Sequence, residues 1–209
     1  MRASGRARVA KRGDRPSCVC SRPRLLRSGL RAAHCGGEAL QRSAQGRTGL
    51  MAATYRNQVA GARVLIEAGS DVNAHDAMQN GPLLLAGASG YLDIVRMTLA
   101  ARPDFTVYNR FGGTALIPAC ERGHVEVVKA LLKTTIDVNH VNRLGWTALL
   151  EAILLSDGGT AHQENVRLLL AAGANPNLAD HDGVTPLRHA RQKGYRVISD
   201  LLLAAGAHE

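Results

Sequence analysis

From position 46 onward the apolar residues fall into paired short runs that return at a fixed interval. The first of each pair reads Thr48-Gly49-Leu50-Met51-Ala52-Ala53, then Gly81-Pro82-Leu83-Leu84-Leu85-Ala86, Thr114-Ala115-Leu116-Ile117-Pro118-Ala119, Thr147-Ala148-Leu149-Leu150-Glu151-Ala152 and Thr185-Pro186-Leu187-Arg188-His189-Ala190. Successive starts lie 33, 33, 33 and 38 residues apart. The second run of each pair appears as Val64-Leu65-Ile66, Ile94-Val95, Val127-Val128 with Leu131-Leu132, Val166 with Leu168-Leu169-Leu170, and Ile198 with Leu201-Leu202-Leu203. Each unit therefore predicts helix, turn, helix. A unit this short cannot bury its apolar face alone, so neighbours must stack into one continuous core.

The punctuation of the units agrees with that reading. Thr48, Thr114, Thr147 and Thr185 are predicted N-caps, and Pro186 follows at a position where its missing N–H costs little. Gly90, Gly123 and Gly194 fall between the two helices, Gly69, Gly173 and Gly206 end the second, and Gly46, Gly112, Gly145 and Gly183 sit in the loops leading onward. The second unit departs twice: Gly81 replaces the capping Thr, and Arg102-Pro103 replaces the terminal Gly-Ala, so it is expected to be the weakest. Five extra residues between Leu155 and Val166 are expected to lengthen the loop inside the fourth unit. Arg191, Gln192, Lys193, Arg196, Ser199 and Asp200 supply a polar outer face for the C-terminal unit. The N-terminal side lacks a matching cap, leaving three readings: residues 38–45 shield the first unit, an earlier unit is missing, or that end is marginal.

The period, the T-P-L-x-x-A starts, Gly123-His124-Val125-Glu126-Val127-Val128 and Ala172-Gly173-Ala174-Asn175-Pro176-Asn177 resemble ankyrin repeats over residues 46–209. Within that class, Arg110-Phe111-Gly112-Gly113, Pro118-Ala119-Cys120-Glu121, Gly145-Trp146-Thr147 and Leu150-Glu151-Ala152-Ile153 resemble the small stand-alone bacterial YahD-like ankyrin repeat proteins. The resemblance implies an all-α ankyrin repeat solenoid of about five helix-turn-helix repeats, near 46–78, 79–111, 112–144, 145–182 and 183–209, with short β-hairpin loops. It also implies a non-enzymatic module that binds a partner protein through its concave face and hairpin tips.

Charge divides the chain differently. The net charge is +9 over 209 residues, yet residues 1–45 hold ten Arg and Lys11 against only Asp14 and Glu38, while residues 46–209 hold fifteen of each sign. All seven aromatic residues also lie beyond position 45. The first 45 residues are thus expected to form a disordered basic tail, too poor in packing residues to offset ordering entropy. An alternative function follows, in which the tail binds nucleic acid or an anionic membrane while the repeats recruit a partner. Leu25-Leu26 is followed at once by Arg27, so a secretory signal is not expected; an organelle leader or a downstream translation start are the other readings of this segment. Cys18, Cys20, His34 and Cys35 fit none of the common zinc spacings, and free thiols in a reducing compartment are expected. The longest apolar stretches fall short of the roughly 20 residues a membrane span needs. A cytoplasmic monomer is the expectation.

Catalytic constellations are weak. Cys120 and His124 are four apart, but Gly123 at the turn separates them, and a packed Cys with an ordinary repeat His is expected. Gly158-Gly159-Thr160 lacks the Lys of a phosphate loop. Asp71, Asp137 and Asn175 recur at one repeat position and belong to loop structure. Glu121 and Glu151, on neighbouring repeats, leave an acid/base or small-ligand site as the lesser alternative. No metal and no cofactor are expected. The candidate protein-binding residues are Met78, Tyr108, Arg110, Phe111, Arg143, Leu144 and Trp146, whose Trp, Tyr and Arg content matches interface hot spots. The competing reading has Phe111 and Trp146 folding back onto neighbouring hairpins. The surface lacks the Lys/Arg density phosphate binding requires, so a protein or peptide is favoured over nucleic acid, with Arg110, Arg122 and Arg143 available to an acidic group.

Overall fold

A computed structural model describes residues 42–209, which form ten helices in five pairs. They are α1 (Gly49–Tyr55) with α2 (Val59–Glu67), α3 (Pro82–Ser89) with α4 (Leu92–Ala100), α5 (Leu116–Glu121) with α6 (Val125–Leu131), α7 (Ala148–Leu154) with α8 (Thr160–Ala171), and α9 (Pro186–Gln192) with α10 (Arg196–Ala204). The first helices stack on one another in chain order, and so do the second helices. The two layers enclose a continuous core in which Leu50, Ile94, Leu116, Leu149, Leu169 and Ile198 are fully or almost fully buried. Burial of each such side chain contributes roughly 1.5–3 kcal/mol, and no helix of six to twelve residues would persist without it. Residues 1–41 of the basic tail, with Cys18, Cys20, His34 and Cys35, lie outside the described residues, as does half of the 38–45 segment suggested to shield the first repeat.

Three of the four Thr residues cap as expected. Thr48, Thr147 and Thr185 accept from the N–H groups of Met51, Leu150 and Arg188. Thr114 does not: α5 starts at Leu116, and the buried Thr114 hydroxyl has no partner. The cause lies four residues on. Ala52, Leu85, Glu151 and His189 each donate a backbone N–H to the carbonyl at the cap position, whereas the corresponding residue after Thr114 is Pro118, which has none.

The insertion in the fourth repeat is divided. Five residues link α7 to α8, against three in the third and fifth repeats, and α8 runs to twelve residues where α10 has nine. Most of the added chain thus extends the helix rather than the loop, correcting the expectation. The segment is bonded on both sides: His162 Nε2 lies 2.9 Å from Glu121 O, and Tyr195 Oη donates to Ser156 O at 2.6 Å.

The second repeat has the deficits expected of it, and more. Gly81 offers no side-chain cap, and Gln79 and Arg102 hold left-handed backbone at φ 57° and 55°; every other repeat places Gly at the first of these positions, and the first, fourth and fifth place Gly at the second. After the second helices of the first, third and fourth repeats, Asn73, Asn139 and Asn177 each accept a backbone N–H from the next repeat, those of Asp104, Asn175 and His208. Thr106 occupies that place in the second repeat, and its hydroxyl donates to Asp104 instead. At the C-terminal end Arg191, Gln192, Lys193, Arg196 and Asp200 are exposed, but Ser199 is buried and bonds Tyr195 O, while Val197 and Leu203 join the outer face. Among the described residues no helix is long and apolar enough to cross a membrane.

Candidate functional site

The loops between repeats share one construction. Ser43, Asp76, Asn109, Asn142 and Asp180 stand five residues before Thr48, Gly81, Thr114, Thr147 and Thr185, the residues that open each first-helix segment. A side-chain oxygen of each accepts two backbone N–H groups, two and four residues on; for Asn142 these are Leu144 at 2.9 Å and Trp146 at 3.0 Å. The side chain thereby takes the N–H that would complete a β-ladder. Among the described residues no strand forms, and the hairpin-shaped loops close on two backbone bonds at the tip, as in Asn142 N–H to Trp146 O and Gly145 N–H to Asn142 O, both at 3.0 Å.

This construction fixes where the tip residues go. Met78, Arg110, Phe111, Leu144 and Trp146 line a single groove of about 380 Å³, whose inner wall comes from α3, α5 and α7. Phe111 and Leu144 are each 44% exposed and Met78 48%, while Trp146 is half-buried. The Arg110 guanidinium lies 4.7 Å from the centre of the Phe111 ring. The other two candidates stand apart from the groove lining. Tyr108 stacks on His140 with ring centres 4.5 Å apart, and His140 Nε2 reaches Gly112 O at 2.6 Å. Arg143 folds back on the preceding hairpin, its backbone N–H donating to Phe111 O at 2.8 Å and its guanidinium to Arg110 O at 3.1 Å. Gly112 is required beneath it, because a Cβ there would come within 2.9 Å of the Arg143 stem and the backbone holds φ 73°.

Glu121 and Glu151 enter the same groove. Glu151 is 6% exposed, and its Oε1 accepts from Asn142 Nδ2 at 2.9 Å. The Asn142 amide has no freedom in this, since its oxygen already holds Leu144 and Trp146. Burial, with the charge of Glu121 added, pushes the Glu151 carboxyl up to about 7 against the single opposing bond from Asn142. The groove lining contains no Ser, Thr, Cys, His or Lys. Cys120 lies behind it, fully buried, and burial together with Glu151 pushes its thiol well above the ordinary range. His124 does not face Cys120 but reaches Ala88 O at 3.2 Å. Arg122 donates to the same carbonyl at 3.0 Å.

Asp157 and His162 pair at 3.0 Å outside the groove lining. Asp71, Asp137 and Asn175 each accept the N–H two residues on, closing the turn after a second helix. No group of three or more His, Cys, Asp or Glu that could hold a metal ion occurs among the described residues. Sequence reasoning missed Asn109, Asn142 and the helix residues Leu85, Ile117 and Pro118 of the groove. The Ser/Asp/Asn recurrence before each capping position carried the signal for the first two.

Comparison with known proteins places this geometry. A model of three ankyrin repeats matches residues 83–180, and a single-repeat model matches residues 45–77. The ankyrin repeat protein YahD of Escherichia coli strain K12 is 47% identical over 164 residues, which is 78% of this chain and 82% of that protein. An ankyrin repeat domain from Acinetobacter baumannii AYE superimposes with a TM-score of 0.79 at 60% identity, covering 80% of this chain and 86% of that one. The crystal structure of a second ankyrin repeat protein gives a TM-score of 0.76 at 37% identity, over 80% and 87% of the two chains.

Proposed function

Because the chain belongs to the ankyrin repeat family, whose members are in general non-enzymatic scaffolds for protein contact, we propose that it binds a segment of a partner protein in the groove between the second and fourth repeats. One observation carries the reading: the tips of three successive hairpins and the first helices behind them converge on a single concavity of about 380 Å³ with large apolar side chains left exposed. A surface that keeps Phe111, Leu144 and Met78 in water gains when a partner covers them, by about 25 cal/mol for each Å² of apolar area removed.

Within this reading Met78, Phe111, Leu144 and Trp146 are the apolar anchors, and Arg110 borders them. Tyr108 and Arg143 act at one remove, by holding neighbouring hairpins in register. The mechanism is stoichiometric burial of the bound segment. Selection from a random peptide display library on the full chain tests it, with a Phe111→Ala, Trp146→Ala double variant beside the wild type. Peptides that bind wild type and lose at least about tenfold in affinity for a folded double variant, a loss of about 1.4 kcal/mol, support the groove. Equal binding to both sinks it, provided circular dichroism shows both folded.

A further inference from the structure

The repeat plan does not call for a carboxyl at position 151. At the position four residues after each cap, the second and third repeats carry Leu85 and Pro118, and the fifth carries His189, which is paired with Asp180 at 2.7 Å. The repeat architecture therefore accepts an apolar side chain where the fourth repeat buries a carboxyl. One oxygen of that carboxyl is open to the groove: Oε1 holds the Asn142 amide, no donor among the described residues bonds Oε2, and Oε2 is not among the buried atoms left without a partner, so water reaches it. A carboxyl that is 6% exposed and keeps one oxygen open to a groove can exchange that oxygen's water for a donor brought by a bound segment.

The neighbouring charges say which donor. Glu121 shares the groove and acts on Glu151 with like charge. Arg122, the cation closest in sequence to Glu121, is tied to Ala88 O, and Arg110 is exposed against the Phe111 ring. From the other elements packed against α7, His189 on α9 turns to Asp180, Asn165 on α8 donates to Cys120 O, and Arg143 turns to Arg110 O. The carboxyl pair thus has no compensating ion pair among the described residues. Trp146, the aromatic residue best suited to flank a cation, lines the same groove.

We propose that the carboxyl pair in the groove is a recognition site for a cationic side chain of the bound segment, a lysine ammonium or an arginine guanidinium, with Glu151 as the principal acceptor and Glu121 as the second charge. Trp146 lines the approach. The proposal rests on the groove being the partner site, and it adds what that site selects: an apolar segment carrying one Lys or Arg. It also sets a pH dependence. A cation binds the ionised form, so affinity rises with pH through about 7, and the ionised fraction of Glu151 grows about tenfold between pH 6 and pH 8.

The display selection is run at pH 8 on the full wild-type chain, on Glu151→Gln and on Glu151→Leu, the last borrowing the residue of the second repeat. Wild type is expected to enrich peptides with one Lys or Arg among apolar residues, and both variants to enrich apolar peptides without it. A recovered Lys or Arg peptide is then expected to bind wild type about tenfold more tightly at pH 8 than at pH 6, and Glu151→Gln equally at both. Peptides lacking a cation, acidic peptides that use the arginines, or an unchanged preference in both variants overturn the cation site while leaving the groove standing. Recovery of no peptide by wild type overturns the groove and the cation site together.

Discussion

The second and fourth repeats are built to the same plan, yet the second lacks almost every local device that the fourth possesses. The fourth starts on a Thr147 cap, takes its tight turns at Gly145 and Gly173, and reaches into the fifth through Asn177. Its enlarged linker and helix are also bonded to their neighbours, α8 to Glu121 O through His162 and the linker to Tyr195 through Ser156 O. The second starts on Gly81, bends at Gln79 and Arg102 against the preference of their side chains, and has Thr106 where the Asn link belongs. Each device contributes only about 0.5–1.5 kcal/mol, but a stacked array opens first where such terms are missing. The groove draws on both repeats, so one wall rests on the better-held part of the molecule and the other on the looser part.

The largest effect that tests this contrast comes from the core. Leu149→Ala, at a position 1% exposed, is expected to cost about 3–4 kcal/mol, whereas the equivalent Leu83→Ala, at 8%, costs about 2, as read by urea denaturation. Equal costs would mean that the two repeats are packed alike.

Next in size is a gain. The Glu151 carboxyl is raised to about 7 from an ordinary 4.5, so the folded chain holds a proton that the unfolded chain has already lost. The contribution of Glu151 to stability is therefore full below about pH 4.5, falls as the pH rises to about 7, and levels off above it, a total of roughly 3 kcal/mol. Glu151→Gln should flatten that slope and be the more stable chain at pH 8. An unchanged slope would show that Glu151 is solvated in the folded state. Asp76 and Asp180 act in the opposite sense in a separate window: burial pulls each up, but hydrogen bonds from Asn80 and Met78, or from Val184, His189 and Asp182, leave each below 3.8. Their contribution is present above 3.8 and is lost as the pH falls through their depressed values.

The smaller effects repair the second repeat. Arg102→Gly relieves a left-handed backbone at φ 55° and is expected to add about 0.5–1 kcal/mol, visible as slower hydrogen exchange in α3 and α4. The same exchange rates left untouched would place the weakness elsewhere. Gly81→Thr restores the cap, but its Cβ would lie 3.3 Å from Ala74 O, so a gain of only a few tenths of a kcal/mol is expected in the denaturation midpoint.

Much of this molecule was legible before any coordinates. The 33-residue period placed the helix pairs, and the Gly and Thr positions marked most of their ends. The reading slipped at two places. Pro118 removes the backbone bond that would have started α5 at Thr114, and the stretch from Ser156 to Asn165 could extend either a loop or a helix until its neighbours chose the helix.

The candidate site divides along the same line. Sequence alone determined which residues reach the hairpin tips, because position within a repeat is a local backbone property that recurs with the period. Tertiary structure alone decided which way each turned. Tyr108 goes to His140 and Arg143 to Arg110 O, partners about one repeat away along the chain. It also decided the state of Glu151, for a carboxyl on a helix has an ordinary affinity for its proton until the stack buries it beside Glu121. Local sequence fixes backbone bonds within a repeat, whereas side-chain direction and charge are set by what stacking brings beside them.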